Sequence, residues 1–336
     1  MTRDRRLLFI FGLLAIFALL PLVASALDQE FYIGQVRRVL IFAIAAVSLD
    51  LILGYAGMVS LGHAAFFGIG AYVVAILHWH ADREVLLFGL VPGTTSSFVT
   101  IPLAILVAAA LAAVIGAICL RTAGIYFIMS TLAFAQMLYF LFVSLRFNDN
   151  DRAYGGDDGL RFPGQTHVLG VIDTDNTLAF YYLVLAVLML VLFFGHRLTR
   201  ARFGLALEGI RDNERRMRAI GFSTPRYKLV AFVLSGAIAG LAGALLAFHE
   251  GYVSPSLMHW TRSGDLIVMV VLGGMGSLFG PVAGAAMFLL LEKFLPDYTE
   301  HWMLVFGPIL VLVVLFAKRG LIGLVDRRTD ETRGRH

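Results

Sequence analysis

The sequence predicts an all-α integral membrane protein, a multi-span helical bundle of about 8–10 transmembrane helices, from three observations. Of the 336 residues, 59% are hydrophobic and 15% are charged, whereas soluble domains carry about 25% charged residues. Uncharged runs of the ~20 residues that cross a bilayer recur along the chain. Two such runs contain clustered glycines, which predicts broken or re-entrant segments near 54–62 and 273–278. We therefore treat residues 1–336 as a single transmembrane domain.

The first predicted span is residues 7–27, which follow Arg3, Arg5 and Arg6. The run is longer than the ~7–15 apolar residues of a signal peptide, and a second hydrophobic segment follows it at once. We interpret it as a retained span. The positive-inside rule places its arginine-rich start, and hence the amino terminus, in the cytoplasm.

The first break follows the second span, which is about residues 36–53. Irregular backbone is tolerated at membrane depth only where it lines a polar cavity or packs against protein. Asp50 precedes the break, and a carboxylate at mid-bilayer costs ~2.5–3.5 kcal/mol on insertion scales, so we expect it to face a cavity, a partner or the interface. His63 has two interpretations: it lines the same cavity, or a neighbouring helix satisfies its ring nitrogens.

The main polar loop is residues 146–176, between spans at about 124–145 and 177–197. It is predicted to lie outside the cytoplasm. Asp149, Asn150 and Asp151 resemble the start of a calcium-binding EF-hand loop, but Tyr154 stands where that loop requires glycine. No metal site is therefore predicted. A contact with a partner outside the cell membrane is the alternative that we prefer for this loop.

The most basic loop, 199–226, is predicted to be cytoplasmic. Within it, residues 205–220 are predicted to form one helix, because acidic and basic side chains recur three or four residues apart. Gly221 is a natural end for that helix. A short helix between two spans is well shaped to be bound by another protein, and a merely solvated charged loop is the alternative.

The number of membrane crossings, together with the position of the basic tail, decides how the second break is interpreted. If residues 266–291 crossed the membrane once, the basic tail 319–336 would lie outside, against the positive-inside rule. We therefore expect the chain to break at 273–278 and return, so that a final span at about 302–317 brings the tail into the cytoplasm. Paired glycine breaks in two halves of a chain are typical of a transport pathway. Here the two breaks share only Met-x-Ser-Leu, at Met58 and Met275, and chance similarity is the alternative.

Catalytic motifs are absent from the sequence. There is no phosphate-binding loop of the form GxxxxGK[ST] and no HExxH metal motif. We predict a non-catalytic transporter chain with no cofactor of its own, and no nucleic-acid partner. A self-sufficient ion-coupled transporter that uses Asp50 as its coupling carboxylate is the alternative from a different class.

Four segments in order resemble the permease subunits of branched-chain amino acid ABC importers. They are residues 54–72, 155–160, 210–232 and 268–280. The overall pattern is more similar to the longer, M-type subunit than to its shorter partner. The resemblance implies a permease in the bacterial inner membrane that works with a second homologous permease, two cytoplasmic ATPases that use ATP, and a periplasmic binding protein. Leucine, isoleucine and valine are the implied substrates, and urea or short amides are the alternative.

The resemblance also implies two sets of functional residues. A coupling helix that docks on an ATPase includes Glu208, Gly209, Ile210, Arg211, Asp212, Asn213, Ala219 and Gly221. A translocation path is flanked by Asp50, Gly54, Gly57, Ser60, Gly62, His63, Gly273, Gly274 and Ser277.

Overall fold

The computed structural model describes residues 17–21, 30–83, 93–149, 152–162, 167–168, 172–173, 177–298, 301, 304, 307–308 and 320. Most of the first predicted span, the final span and the basic tail lie outside these residues. The described part is helical almost throughout, which confirms the all-α prediction. Its helices are α1 Glu30–Asp50, α2 His63–Asp82, α3 Ser97–Cys119, α4 Ile125–Ser144, α5 Thr177–Arg200, α6 Arg202–Ala219, α7 Thr224–Glu250, α8 Trp260–Gly273 and α9 Gly280–Tyr298.

Five of these helices are long and apolar enough to cross a membrane: α2, α3, α4, α5 and α7. Their faces divide between protein and surroundings, since α2 is buried along most of its length while α3 and α4 expose large apolar side chains such as Leu106 and Tyr126. A helix that exposes hydrocarbon side chains in this way suits a lipid or partner-helix environment. The chain is therefore a multi-span membrane protein, as predicted.

Helix α1 forms the centre of the bundle. It packs against α5, α7, α8 and α9, and its Leu40, Ile41 and Ala45 are fully buried. A helix that is apolar on every side is stable only when other helices surround it. The start of the chain also contacts this core, because the Tyr181 hydroxyl donates a 2.7 Å hydrogen bond to the carbonyl of Phe17.

Glycines allow α2, α3 and α7 to approach closely. A Cβ added at Gly70 of α2 would clash with the backbone of Gly240 in α7, and a Cβ at Gly240 would clash with Ala108 of α3. Small residues at helix contacts permit this approach, and membrane helices gain most of their association energy from such packing. Gly240 therefore lets α7 pack closely against two helices at once.

Short strands form in the predicted outer loop 146–176, where no strand was expected, and one more follows α7. The strands are β1 Arg146–Asp149, β2 Arg152–Gly155, β3 Leu160–Arg161, β4 His167–Val168, β5 Ile172–Asp173 and β6 Tyr252–Val253. Pair β1–β2, pair β4–β5 and pair β3–β6 are each antiparallel. The β3–β6 pair joins the loop after α4 to the turn between α7 and α8. Helix α8 begins at Trp260, six residues before the apolar run 266–291.

Helices α8 and α9 form an antiparallel hairpin around the second break. Gly284 of α9 packs on the carbonyl of Met269, and Gly273 packs on the backbone of Gly280. Further along α9, Lys293 lies with its amino group 3.8 Å from the ring centroid of Phe31, near the start of α1. The chain therefore turns at the second break, and α9 returns to the end of the bundle where α8 begins. This return is the one predicted from the number of membrane crossings.

Candidate functional site

The first break is an irregular segment between α1 and α2. Residues Leu51–Tyr55 form one π-helical turn after α1, and the chain is then non-helical as far as Gly62. The Met58 amide donates a 2.9 Å hydrogen bond to the Ile52 carbonyl, which closes the turn. Gly57 has a φ of 68°, a left-handed conformation that glycine adopts without strain.

The second break is the tip of the α8–α9 hairpin. Gly274 and Gly276 have φ values of 115° and 73°, so both take conformations that favour glycine. The Ser277 hydroxyl donates a 2.7 Å hydrogen bond to the Gly274 carbonyl. The tip is therefore held by its own side-chain and backbone groups.

The two breaks contact each other directly. The Gly276 amide donates a 2.8 Å hydrogen bond to Oδ1 of Asp50, the last residue of α1. Gly54 lies beside this bond, and a Cβ at Gly54 would clash with both the Asp50 carboxylate and the Gly276 backbone. Sequence reasoning placed both breaks on a common path but did not single out Gly276. The signal for it was the glycine density of residues 273–276.

Arg211 connects α6, the helix predicted within the basic loop 199–226, to both breaks. Its Nη1 donates a short hydrogen bond to the Gly54 carbonyl. A Cβ at Gly57 would lie 2.8 Å from Cγ of Arg211, and a Cβ at Gly276 would lie 3.6 Å from its Nη1. We call Asp50, Gly54, Gly57, Arg211 and Gly276 the break junction.

The other predicted path residues lie near the break junction without belonging to it. Ser60 accepts the Gly62 amide at 3.3 Å, and Gly62 packs on the backbone of Thr131. Nε2 of His63 lies 2.8 Å from the Ser48 hydroxyl, so a neighbouring helix contacts this histidine. Its role in a path stays a prediction.

Helix α6 is bent, so the prediction of one continuous helix is wrong. Asn213 has φ −159° and ψ 93°, and its side-chain oxygen accepts the Arg216 amide at 3.0 Å, which caps a second helical piece. The bend brings Met217 over Gly209, where a Cβ would lie 2.9 Å from the Met217 sulfur. Ala219 ends the helix, and Gly221, with φ 93°, turns the chain away as predicted.

The side chains of α6 point in different directions. Ile210 is buried beside the first break, Asp212 lies 3.5 Å from Arg211, and Glu208 is half-buried. Leu205 and Ile220, by contrast, are 63% and 64% exposed. One side of α6 therefore meets the breaks while apolar residues on another side have no cover in the described part of the chain.

Glu214 connects α6 to the start of α7. Its carboxylate lies 2.6 Å from Nζ of Lys228 and 2.7 Å from Nη2 of Arg218, and it accepts a 3.0 Å hydrogen bond from the Thr224 hydroxyl. Burial alone would raise the pKa of Glu214, but the hydrogen bonds from Lys228 and Arg218 outweigh burial and hold that pKa below its ordinary value. The Arg218 pair follows the predicted spacing, whereas sequence reasoning missed Lys228.

A cavity of about 560 Å³ lies between α6, the first break and the connection from α3 to α4. Met58, Phe127 and Ile128 give it an apolar wall, and Arg121 and Arg211 contribute positive charge. This volume is in the ~300–1,000 Å³ range of small-molecule sites. Sequence reasoning missed the cavity because it is formed by segments far apart in the chain. In the described residues, no cluster of His, Cys, Asp and Glu side chains could hold a metal ion.

A multi-span bundle whose two broken segments meet each other and a helix outside the spans is the architecture of a membrane transport permease. Residues 32–314 match the family described as branched-chain amino acid transport system / permease component, and the chain belongs to this family. No solved structure gives a significant match.

Named relatives agree with the M-type resemblance. The chain is 31% identical to the high-affinity branched-chain amino acid transport system permease protein LivM of Salmonella typhimurium, over 94% of this chain and 74% of the relative. It is 26% identical to a probable LivM of Methanocaldococcus jannaschii, over 84% of this chain and 90% of the relative. The chain is 25% identical to the permease LivH of Salmonella typhimurium, over 84% of this chain and 91% of the relative. The higher identity to LivM confirms the predicted subunit type.

Proposed function

We propose that this chain is the M-type permease subunit of an ATP-driven importer that moves leucine, isoleucine and valine into the cytoplasm. The observation that carries the proposal is the hydrogen bond from Arg211 of α6 to the Gly54 carbonyl. Through it, a helix outside the spans contacts the first of two breaks that also contact each other. A force applied to α6 therefore acts on the backbone of the break junction.

The surface of α6 supports docking on an ATPase subunit. Leu205 and Ile220, at the two ends of α6, are large apolar side chains that are 63% and 64% exposed, and exposed apolar side chains on a polar surface suit a protein partner. ATP is bound and hydrolysed by two such subunits in this proposal, since the chain carries no phosphate-binding loop. A second homologous permease, comparable to the LivH relatives, completes the membrane part.

The proposed location is the bacterial inner membrane with both termini in the cytoplasm. Nine arginine and lysine residues between 197 and 228 favour the cytoplasmic side for α6 under the positive-inside rule. The 146–176 loop and β6 then face the periplasm, where a binding protein delivers substrate. That binding protein sets the choice among amino acids or, in the alternative, urea and short amides.

Copurification tests the assembly. The tagged chain is expected to bring down two ATPase copies and a second permease, and the reconstituted assembly with its binding protein is expected to take up leucine only with ATP. Gradient-driven uptake by the purified chain alone would overturn the proposal in favour of an ion-coupled transporter. The ligand found in the binding protein decides between amino acids and amides.

Helix α6 can be broken selectively at Gly209. Gly209→Pro removes a backbone donor and costs ~3 kcal/mol or more in a helix interior, so we expect ATP-driven uptake to fall to background while membrane insertion persists. Gly209→Ala is the matched control, because it retains the amide and meets only the flexible end of Met217. Full uptake by the proline variant would contradict the role of α6.

A further inference from the structure

Asp50 carries a carboxylate oxygen that the protein does not use. The side chain is 1% exposed, Oδ1 accepts the Gly276 amide, and Oδ2 is buried without a hydrogen-bond partner. A buried charged acceptor without a donor is unfavourable. Packing alone therefore does not explain a carboxylate at this position, because an uncharged amide of the same size would also accept from Gly276.

Arg211 offers the opposite charge on the other side of Gly54. Its Nη1 donates to the Gly54 carbonyl and its Nε has only a 3.5 Å contact with Asp212, which leaves Nη2 without a hydrogen bond in the described part of the chain. The guanidinium is near enough to Asp50 for a favourable charge interaction. A positive and a negative group, each with an unused polar atom, therefore both lie at the break junction.

The cavity beside the break junction suits an apolar side chain. The cavity of about 560 Å³ begins at Gly57, Met58 and Arg211, and its wall includes Phe127 and Ile128. Arg211 lines this cavity, whereas Asp50 lies outside its lining, next to Gly54. Separation of the two breaks would open the buried Oδ2 of Asp50 toward the cavity. Two opposite charges beside an apolar pocket are then complementary to an aliphatic α-amino acid.

We propose that Asp50 and Arg211 recognise the two charges of a zwitterionic amino acid at the break junction. The α-ammonium group donates to Oδ2 of Asp50, and the α-carboxylate accepts from Arg211. Urea and neutral amides carry neither charge, so the junction discriminates against them. This inference rests on the proposed function and adds the chemical features of the substrate that the permease itself reads.

The test uses the assembled transporter in nanodiscs and three ligands of similar shape. Leucine has both charges, 4-methylpentanoate lacks the ammonium group, and 3-methylbutylamine lacks the carboxylate. Binding is measured by equilibrium dialysis, without nucleotide and with ATP. In at least one of these states the wild type is expected to bind leucine at least about tenfold more tightly than either analogue, as expected for hydrogen bonds to charged groups.

Two variants assign the charges. Asp50→Asn retains the acceptor for Gly276, and it is expected to bind leucine as weakly as 4-methylpentanoate, whose own affinity is unchanged. Arg211→Gln is expected to bind leucine as weakly as 3-methylbutylamine. Asp82→Asn, at the exposed end of α2, removes a carboxylate far from the junction and is expected to keep the wild-type order.

Three outcomes would overturn the inference: no preference of the wild type for leucine, no binding of leucine, or an equal loss for leucine and 4-methylpentanoate in Asp50→Asn. The last would show a structural role for Asp50. ATP-driven leucine uptake is measured on the same purified wild-type protein, reconstituted into liposomes with the binding protein. Absent uptake would count against the proposed function, whereas intact uptake without the expected ligand order would count against this inference alone.

Discussion

The amino group of Lys228, in the first two turns of α7, lies 2.6 Å from the carboxylate of Glu214 in α6. The two side chains are 19% and 29% exposed, so water screens their interaction less than that of a surface pair. Together with the bond between Arg211 and Gly54, this pair gives α6 two attachments, one to a membrane helix and one to the first break.

The Glu214 attachment predicts an acid-dependent loss of stability. The pKa of Glu214 is lowered in the folded protein, with burial opposed by hydrogen bonds from Lys228 and Arg218. The contribution of the pair is therefore fully present above the ordinary pKa of 4.5 and declines as the pH falls from there through the lowered value. Thermal unfolding of the wild type and Glu214→Gln, followed from pH 7 downward, should show a difference that shrinks below pH 4.5. A difference that stays constant with pH would contradict this role.

Cysteines at positions 57 and 211 should report movement of α6. A Cβ at Gly57 would lie 3.5 Å from Cβ of Arg211, which is within the ~3.5–4.5 Å separation of disulfide-bonded residues. The native Cys119 is buried and should not compete. We expect Gly57→Cys with Arg211→Cys to form a disulfide in the resting transporter.

The disulfide formed by these cysteines should respond to nucleotide. ATP is expected to lower its yield, because displacement of α6 by the ATPase subunits would separate the two cysteines. Electrophoresis without reductant, with each single-cysteine variant as a control, measures the yield. The same yield in both states would mean that α6 and the first break move together.

Alanine substitution is expected to have opposite effects on stability at a glycine in the close contact of α3 and α7 and at a glycine with free space around it. Gly240→Ala would place a Cβ against Ala108, and such overpacking typically costs ~1–3 kcal/mol. Gly34→Ala in α1 meets no atom nearer than 3.9 Å and should gain ~0.5–1 kcal/mol, because alanine is the better helix former. Thermal unfolding in detergent measures both. Equal melting temperatures would show that the Gly240 contact relaxes without cost.

The positions of both breaks were predictable from the sequence, but their contact was not. Glycines at 54, 57 and 62 and at 273, 274 and 276 interrupt apolar runs, which is a local signal. The bond between Gly276 and Asp50 joins residues 226 positions apart, and no local pattern encodes it. The return of α9 was predictable because the positive-inside rule was applied to all the spans and to the basic tail together.

The bend of α6 and the strands of the outer loops show two other reasons for failure. Charged residues three or four apart favour a continuous helix, and this signal concealed the capping role of Asn213, a residue type that often begins a helix. Strands β3 and β6 contain two residues each and are stabilised by pairing across the bundle. Their own sequences are too short to show a strand period.

The β3–β6 pair gives α7 a fixed pivot. At that end the Phe162 amide donates to the Gly251 carbonyl, and the Tyr252 hydroxyl donates a 2.8 Å hydrogen bond to the Asp158 carbonyl. The opposite end of α7 is attached to Glu214 of α6. The helix has 27 residues, which at 1.5 Å per residue is a rod of about 40 Å. A tilt of about 5° around the pivot would displace the end near Glu214 by ~3.5 Å, which exceeds the ~2.9 Å donor–acceptor distance of a typical hydrogen bond. A long helix held by strand pairing at one end thus converts a small rotation into a displacement at its other end that is large enough to separate a pair of hydrogen-bonded groups.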